Sequence, residues 1–202
     1  MEKMGNILFA GVGGQGILLA SEITSAALLK AGFDVKKSEV HGMAQRGGAV
    51  LAHLRYGEKV YSPLIEQGTA HIEVAFELLE SLRYLPYLNK ETKVIVNTQR
   101  ILPISVTTGV EAYPEDVLSR LEKQGIAAVF PIDAFAIAEA LGEIRAVNMV
   151  LVGSLSVFLP LSQDIFYALI DEKVLQKFRR ANREAFRKGR ELIEKAPFWG
   201  KG

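Results

Sequence analysis

Two glycine-rich stretches carry most of the groups in this sequence that could do chemistry. The first is Gly11-Val12-Gly13-Gly14-Gln15-Gly16, which matches G-x-G-x-x-G. Without side chains the backbone can come close to a ligand, and a helix that begins there leaves N–H groups free for an anion. The same glycines would also serve a tight turn with close helix packing, and the residues alone leave both readings open. The second stretch, residues 38–48, reads SEVHGMAQRGG and gathers Glu39, His41, Gln45 and Arg46 beside Gly42, Gly47 and Gly48. Arg46 suits a bidentate clamp on phosphate or carboxylate. Gly47 and Gly48 let the chain turn sharply or approach a partner. The alternative is a structural loop whose polar groups satisfy one another.

Other chemistries fit less well. A nicotinamide dinucleotide site needs an acid at the end of the second strand for the ribose hydroxyls. Glu39 is the one candidate, and it lies further along than usual, before a loop rather than a helix. His41, His53 and His71 are the only histidines and fall on separate elements, so no metal site is assigned. His41 could serve as an acid or base, but no proton donor can be placed beside it, and no catalytic residue is assigned. The chain has no cysteine, which excludes disulfides and cysteine-ligated iron–sulfur clusters on it.

The elements that must position these groups follow from pattern. Residues 6–10 are continuously apolar, as in a strand buried on both faces. Residues 17–30 predict a helix stopped by Gly32, and residues 33–40 a second strand. Strand, glycine turn, helix and strand is how a doubly wound α/β domain begins. Residues 49–56 alternate like a sheet strand, and Gly57-Glu58-Lys59 predicts a turn into Val60-Tyr61, so a hairpin inserted into a parallel plan is expected. Further strands are predicted at 72–76, 93–97 and 127–130, and helices at 77–85, 114–124, 134–141 and 146–159, with Asp133 as a cap. A charged helix over about 172–195 closes the chain. The fold class is α/β: a three-layer α/β/α, Rossmann-like, mostly parallel sheet with that hairpin inserted.

Composition bounds the rest. The 202 residues fit one domain, with no repeat, low-complexity segment or linker to divide them. A hydrophobic share of 49% supports a sizeable core, and a net charge of +1 gives no global case for nucleic acid. The N-terminus has no signal-peptide pattern, and residues 146–161 fall short of the ~20 apolar residues of a membrane span. A cytoplasmic, membrane-free protein is expected. The basic residues of the last helix, from Lys173 to Arg190, are interleaved with Glu172, Glu184, Glu191 and Glu194, which favours a solvated face over a nucleic-acid or lipid surface. Tyr84, Tyr87, Phe198 and Trp199 suit either an interface or the core.

The turn GVGGQG, the loop SEVHGMAQRGGAV, the segment VYSPLI (60–65) and the later NMVLVGSL (148–155) together resemble the gamma-type subunits of 2-oxoacid:ferredoxin oxidoreductases. The HGMAQRGG loop is most similar to the beta subunit of the indolepyruvate-specific members. The resemblance runs over about residues 5–195. It implies oxidative decarboxylation of an arylpyruvate, with coenzyme A taking the acyl group and ferredoxin the electrons. Thiamine diphosphate, magnesium and the 4Fe-4S clusters are implied on a large alpha subunit, and this chain, inactive alone, would sit at the coenzyme A end. That division agrees with the missing cysteines and the missing Gly-Asp-Gly thiamine motif. Gly11, Gly13, Gly14, Gln15, Gly16, His41, Gln45, Arg46 and Gly47 become candidate ligand or subunit contacts. The alternatives are a gamma subunit acting on pyruvate or 2-oxoglutarate, and a stand-alone NAD- or FAD-binding Rossmann protein.

Overall fold

A computed structural model describes residues 4–42, 48–126 and 128–196. In chain order the elements are β1 (Gly5–Val12), α1 (Ile17–Lys30), β2 (Asp34–His41), β3 (Ala49–Gly57), β4 (Ile72–Ala75), α2 (Glu80–Arg83), β5 (Lys93–Asn97), α3 (Ile104–Thr107), α4 (Val117–Lys123), β6 (Ala128–Ile132), α5 (Ala134–Ala140), α6 (Val147–Ser156), α7 (Gln163–Lys173) and α8 (Gln176–Glu194). The six strands form one sheet in the order β2-β3-β1-β4-β5-β6. β1, β4, β5 and β6 are parallel neighbours, whereas β3 runs antiparallel to both β1 and β2.

Helices cover both faces. On one face Ile7, Phe9, Val74 and Ile95 of the sheet pack with residues of α1, α5, α6, α7 and α8. On the other, Leu8, Leu51, Val94 and Val96 pack with Leu78, Leu88, Val117 and Leu121. The three-layer α/β/α architecture expected from sequence is the one observed. β1 is buried along its whole length, which is why its apolar run lacks alternation.

The hairpin is a correction in detail. Residues 60–61 form no strand; the Val60 N–H instead donates to Asp34 Oδ2 at 2.9 Å. The antiparallel hairpin is β2–β3, in register from Asp34↔Gly57 to His41↔Val50. β3 therefore slots between β1 and β2. In β3, Val50, Ala52 and Leu54 join the α1 face while His53 and Arg55 point to the other. Alternation of this kind marks a strand but does not name its partner.

The last predicted helix also divides. Ser162 accepts from the Asp164 N–H and starts α7, Val174 and Leu175 are extended, and α8 begins only at Gln176. Glu172 and Lys173 belong to α7 and pair with Lys30 (2.9 Å) and Glu22 (2.7 Å) of α1. α8 lies against α6 through two glycines. A Cβ at Gly153 would run into the Phe186 carbonyl, and one at Gly189 into the Val150 carbonyl. Ser154 Oγ bridges the pair by donating to Gly189 O at 3.0 Å.

Candidate functional site

β1 is the switch point of the sheet. From it the chain leaves by α1 on one face toward β2, while β4 to β6 extend the other way with α2 and α4 on the opposite face. Ligand crevices in open α/β sheets form at the carboxyl ends of the strands at such a point. The glycine turn lies there, and the structure brings several side chains to it.

Gly14 and Gly16 have φ of +101° and +76°, a region that glycine adopts without steric cost. Gly11 sits where a Cβ would meet Phe76 Cβ and Gln15 Oε1 at 2.8 Å each. Gln15 is a brace. Its Oε1 accepts from the Val12 N–H (2.8 Å), and its Nε2 donates to Phe76 O (2.8 Å) just past β4. Asn97, at the end of β5, donates to the same carbonyl (3.0 Å) and accepts from the Ala134 N–H (3.2 Å). These amides lock the ends of β1, β4 and β5 and the start of α5 to one another.

The start of α1 has no side-chain cap, and no acidic residue lies in its first turn. The N–H groups of Ile17, Leu18 and Leu19 have no acceptor among the described residues. The turn is thus ready for an anion. The Gly13 N–H donates to Gly48 O at 2.9 Å, so the glycine turn and the second loop are joined directly. This contact brings the two sequence-predicted stretches together.

The second loop is only partly in view. Gln45, Arg46 and Gly47 lie outside the described residues, as does the His41 side chain; the His41 backbone ends β2 opposite Val50. Glu39 stands apart from the turn. It pairs in register with Ala52, which in turn faces Phe9, three residues before the end of β1. With β3 between, Glu39 is two strand spacings, roughly 10 Å, from β1. Its Oε1 is taken by Lys37 Nζ (2.7 Å) and Ser21 Oγ (3.1 Å). A ribose contact of the dinucleotide type is not built here.

Sequence reasoning passed over three residues at this end of the sheet. Asn97 is one. Glu77 is another: it is buried, and its carboxylate accepts from Tyr113 Oη (2.7 Å) and from the N–H groups of Ile101 and Glu80 (3.0 Å each), anchoring the long excursion between β5 and α4. Burial and the Glu77 carboxylate both push the Tyr113 phenol up. The third is Asn148 of α6, whose Nδ2 reaches Gly16 O at 3.4 Å while its buried Oδ1 has no partner among the described residues. An acceptor left so costs about 1–3 kcal/mol. Position at a strand end was a usable signal for Asn97 and Glu77; nothing in the pattern singled out Asn148 beyond its place in a quoted stretch.

Other surfaces are of ordinary kind. An apolar groove of about 720 Å³ runs between β6, α5 and the end of α8. Three of the seven basic residues of α8 are ion-paired: Arg183 with Asp171 (2.5 Å), Arg187 with Glu184 and Glu191, and Arg190 with Glu194 (2.8 Å). Tyr84 and Tyr87 pack partly buried against the second core, and Phe198 and Trp199 lie outside the described residues. Among the described residues no three His, Asp or Glu side chains gather as metal ligands, and no helix is long and apolar enough to cross a membrane.

A fold with a phosphate-ready glycine turn at its switch point defines a broad class of α/β proteins, and comparison narrows it. Residues 6–192 match the family model described as pyruvate ferredoxin/flavodoxin oxidoreductase, and the chain belongs to that family. It is 47% identical over 152 residues to the indolepyruvate oxidoreductase subunit IorB of Archaeoglobus fulgidus, covering 74% of this chain and 75% of that one. With the protein of the same name from Thermococcus kodakarensis it shares 39% over 188 residues, 91% and 93% of the two chains. The gamma subunit of a keto/oxoacid ferredoxin oxidoreductase from Geobacter sulfurreducens has the same fold (TM-score 0.70, 21% identity, 95% of this chain and 99% of that one). So does part of a 2-oxoglutarate:ferredoxin oxidoreductase from Magnetococcus marinus, solved with 2-oxoglutarate, coenzyme A and succinyl-CoA bound (TM-score 0.74, 22% identity, 97% of this chain and 32% of that one).

Proposed function

We propose that this chain is the small, cluster-free subunit of an indolepyruvate:ferredoxin oxidoreductase, supporting coenzyme A-dependent oxidative decarboxylation of an arylpyruvate. The observation that carries the reading is 39% identity sustained over 188 residues with a relative named as a subunit of that enzyme. Solved structures named for 2-oxoglutarate or pyruvate share the fold at 22% identity, which favours the indolepyruvate assignment over the alternative. A stand-alone dinucleotide enzyme is disfavoured by the placement of Glu39.

Thiamine diphosphate, magnesium and the 4Fe-4S clusters are assigned to a large alpha subunit, since a chain without cysteine offers no cluster ligands. Ferredoxin is reached through the assembled complex, in the cytoplasm. This chain's part is binding and orientation. The N–H groups at the start of α1 fit a phosphate of coenzyme A, with Gly11, Gly13, Gly14 and Gly16 keeping the backbone bare and Gln15 holding the turn in shape. His41, Gln45, Arg46 and Gly47 of the adjoining loop would close over the ligand or meet the partner, and Arg46 supplies the clamp on an anion.

The test is reconstitution with a cysteine-rich, thiamine-binding alpha subunit. The assembled enzyme is expected to oxidise indolepyruvate in preference to pyruvate, and neither chain to do so alone. Arg46→Ala is expected to raise the KM for coenzyme A at least tenfold; an unchanged coenzyme A dependence removes the clamp.

A further inference from the structure

We propose that Asn148 is a positioning residue of the glycine turn, holding the Gly16 backbone for the phosphate-bearing end of the ligand; this rests on the assignment of the turn to coenzyme A. All ten residues of α6 are buried. The helix contains three polar side chains, and two of them are satisfied. Ser154 Oγ donates to Val150 O (3.1 Å) and Gly189 O (3.0 Å), and Ser156 Oγ to Gly153 O (2.6 Å). The other crevice amides, Gln15 and Asn97, each use both ends. Asn148 alone among these is half-used. It is 3% exposed, it makes one long contact to Gly16 O at 3.4 Å, and its Oδ1 has no partner among the described residues. A leucine of similar volume would fill the space without an orphaned acceptor.

The amide is also matched to the turn. A Cβ at Gly16 would lie 2.6 Å from Asn148 Nδ2, and Gly16 holds a positive φ that leads straight into α1. Gly16 O accepts the first helical bond of α1, from the Ala20 N–H. Asn148 therefore grips the peptide from which the free N–H groups of Ile17, Leu18 and Leu19 are aimed. An anion drawn onto those groups pulls on the same peptide, and closing the turn against α6 shortens the long Nδ2–Gly16 O bond. The orphaned Oδ1 is an acceptor, so the group that satisfies it in the bound state is a donor carried by the ligand or its water.

The experiment is steady-state kinetics of the reconstituted complex carrying Asn148→Leu. The expected result is a rise of about tenfold in the KM for coenzyme A. The KM for the 2-oxoacid and kcat stay within twofold, and the melting temperature is unchanged or raised, as for loss of uniform binding without loss of packing. A coenzyme A KM within twofold of wild type overturns the proposal, and so does a rise accompanied by a lowered melting temperature, which would make Asn148 a packing residue. Hydrogen exchange of the wild-type complex with and without coenzyme A decides the matter if the variant does not assemble. Slowing over both residues 13–19 and 146–150 supports the proposal. Slowing over 13–19 alone overturns it while leaving the coenzyme A assignment intact. Slowing over neither removes that assignment and the inference together.

Discussion

Gln15 shows how a residue found by sequence can carry a structural task that the sequence does not reveal. Its place inside G-x-G-x-x-G made it a candidate ligand contact, yet both ends of its amide are spent on Val12 N–H and Phe76 O. Gln15→Leu is expected to cost about 1–3 kcal/mol, because the Val12 N–H loses its acceptor while Phe76 O keeps Asn97. Urea unfolding measures this, and a loss below ~0.5 kcal/mol would mean the brace is dispensable. The glycines were legible because their reason is steric and local. The roles of Gln15, Asn97 and Asn148 were not, because each bonds to backbone brought in from a distant part of the chain: Phe76 for the first two, Gly16 for the third.

Elements were legible where local chemistry sets them. α1 was predicted over residues 17–30 and β5 over 93–97, and both occur with those bounds. Gly32, with φ +89°, is where the chain leaves α1, and Lys93 to Asn97 is an unbroken apolar run between polar ends. The pairing of β3 is hidden because Gly57-Glu58-Lys59 looks like a hairpin turn, whereas β3 pairs with the strand before it, β2, from Asp34↔Gly57 to His41↔Val50. α7 went unseen because its charged face continues into α8, hiding the extended break at Val174 and Leu175. The α6–α8 contact was equally hidden, since a glycine in a helix reads as a weak point. Here Gly153 and Gly189 permit backbone to meet backbone. Gly153→Ala or Gly189→Ala is expected to destabilise by more than about 3 kcal/mol, despite alanine's better helix propensity, because the new methyl meets a main-chain carbonyl. The midpoint of guanidinium unfolding should fall at constant m-value, and a stabilised variant would show that the helices stand further apart.

At the scale of the whole molecule, the sheet carries a charge problem at its centre. Glu73 of β4 is fully buried beside Leu8 and Val94, and both carboxyl oxygens lack a partner among the described residues. Burial pushes its carboxyl well above the ordinary 4.5, and the nearby Glu80 carboxylate adds to the shift. Arg83 does not relieve it, being held bidentately by Glu80 at 2.8 Å, and Glu77 is committed to Tyr113 and Ile101. Glu73 therefore stays protonated in the folded chain at a pH where the unfolded chain has ionised. Below about pH 4.5 both states hold the proton and the residue contributes no slope. Above it the folded state binds more protons than the unfolded one, so stability falls by up to ~1.4 kcal/mol per pH unit until the folded carboxyl itself ionises. His53 acts in the opposite range: burial holds its imidazole below the ordinary 6.5, so stability is lost as pH falls through that value. Comparing Glu73→Leu with wild type cancels His53 and the surface pairs. The variant is expected to gain little at pH 4.5 and more as the pH rises, with the difference in unfolding free energy widening by up to ~1.4 kcal/mol per pH unit until the folded carboxyl ionises. Two stability curves that run parallel from pH 4.5 to 7.5 would show that the carboxyl is solvated or paired in the folded protein. A widening gap would mean that the central strand holds an uncharged acid above the pH at which an ordinary carboxyl ionises, at a cost to the stability of the isolated chain.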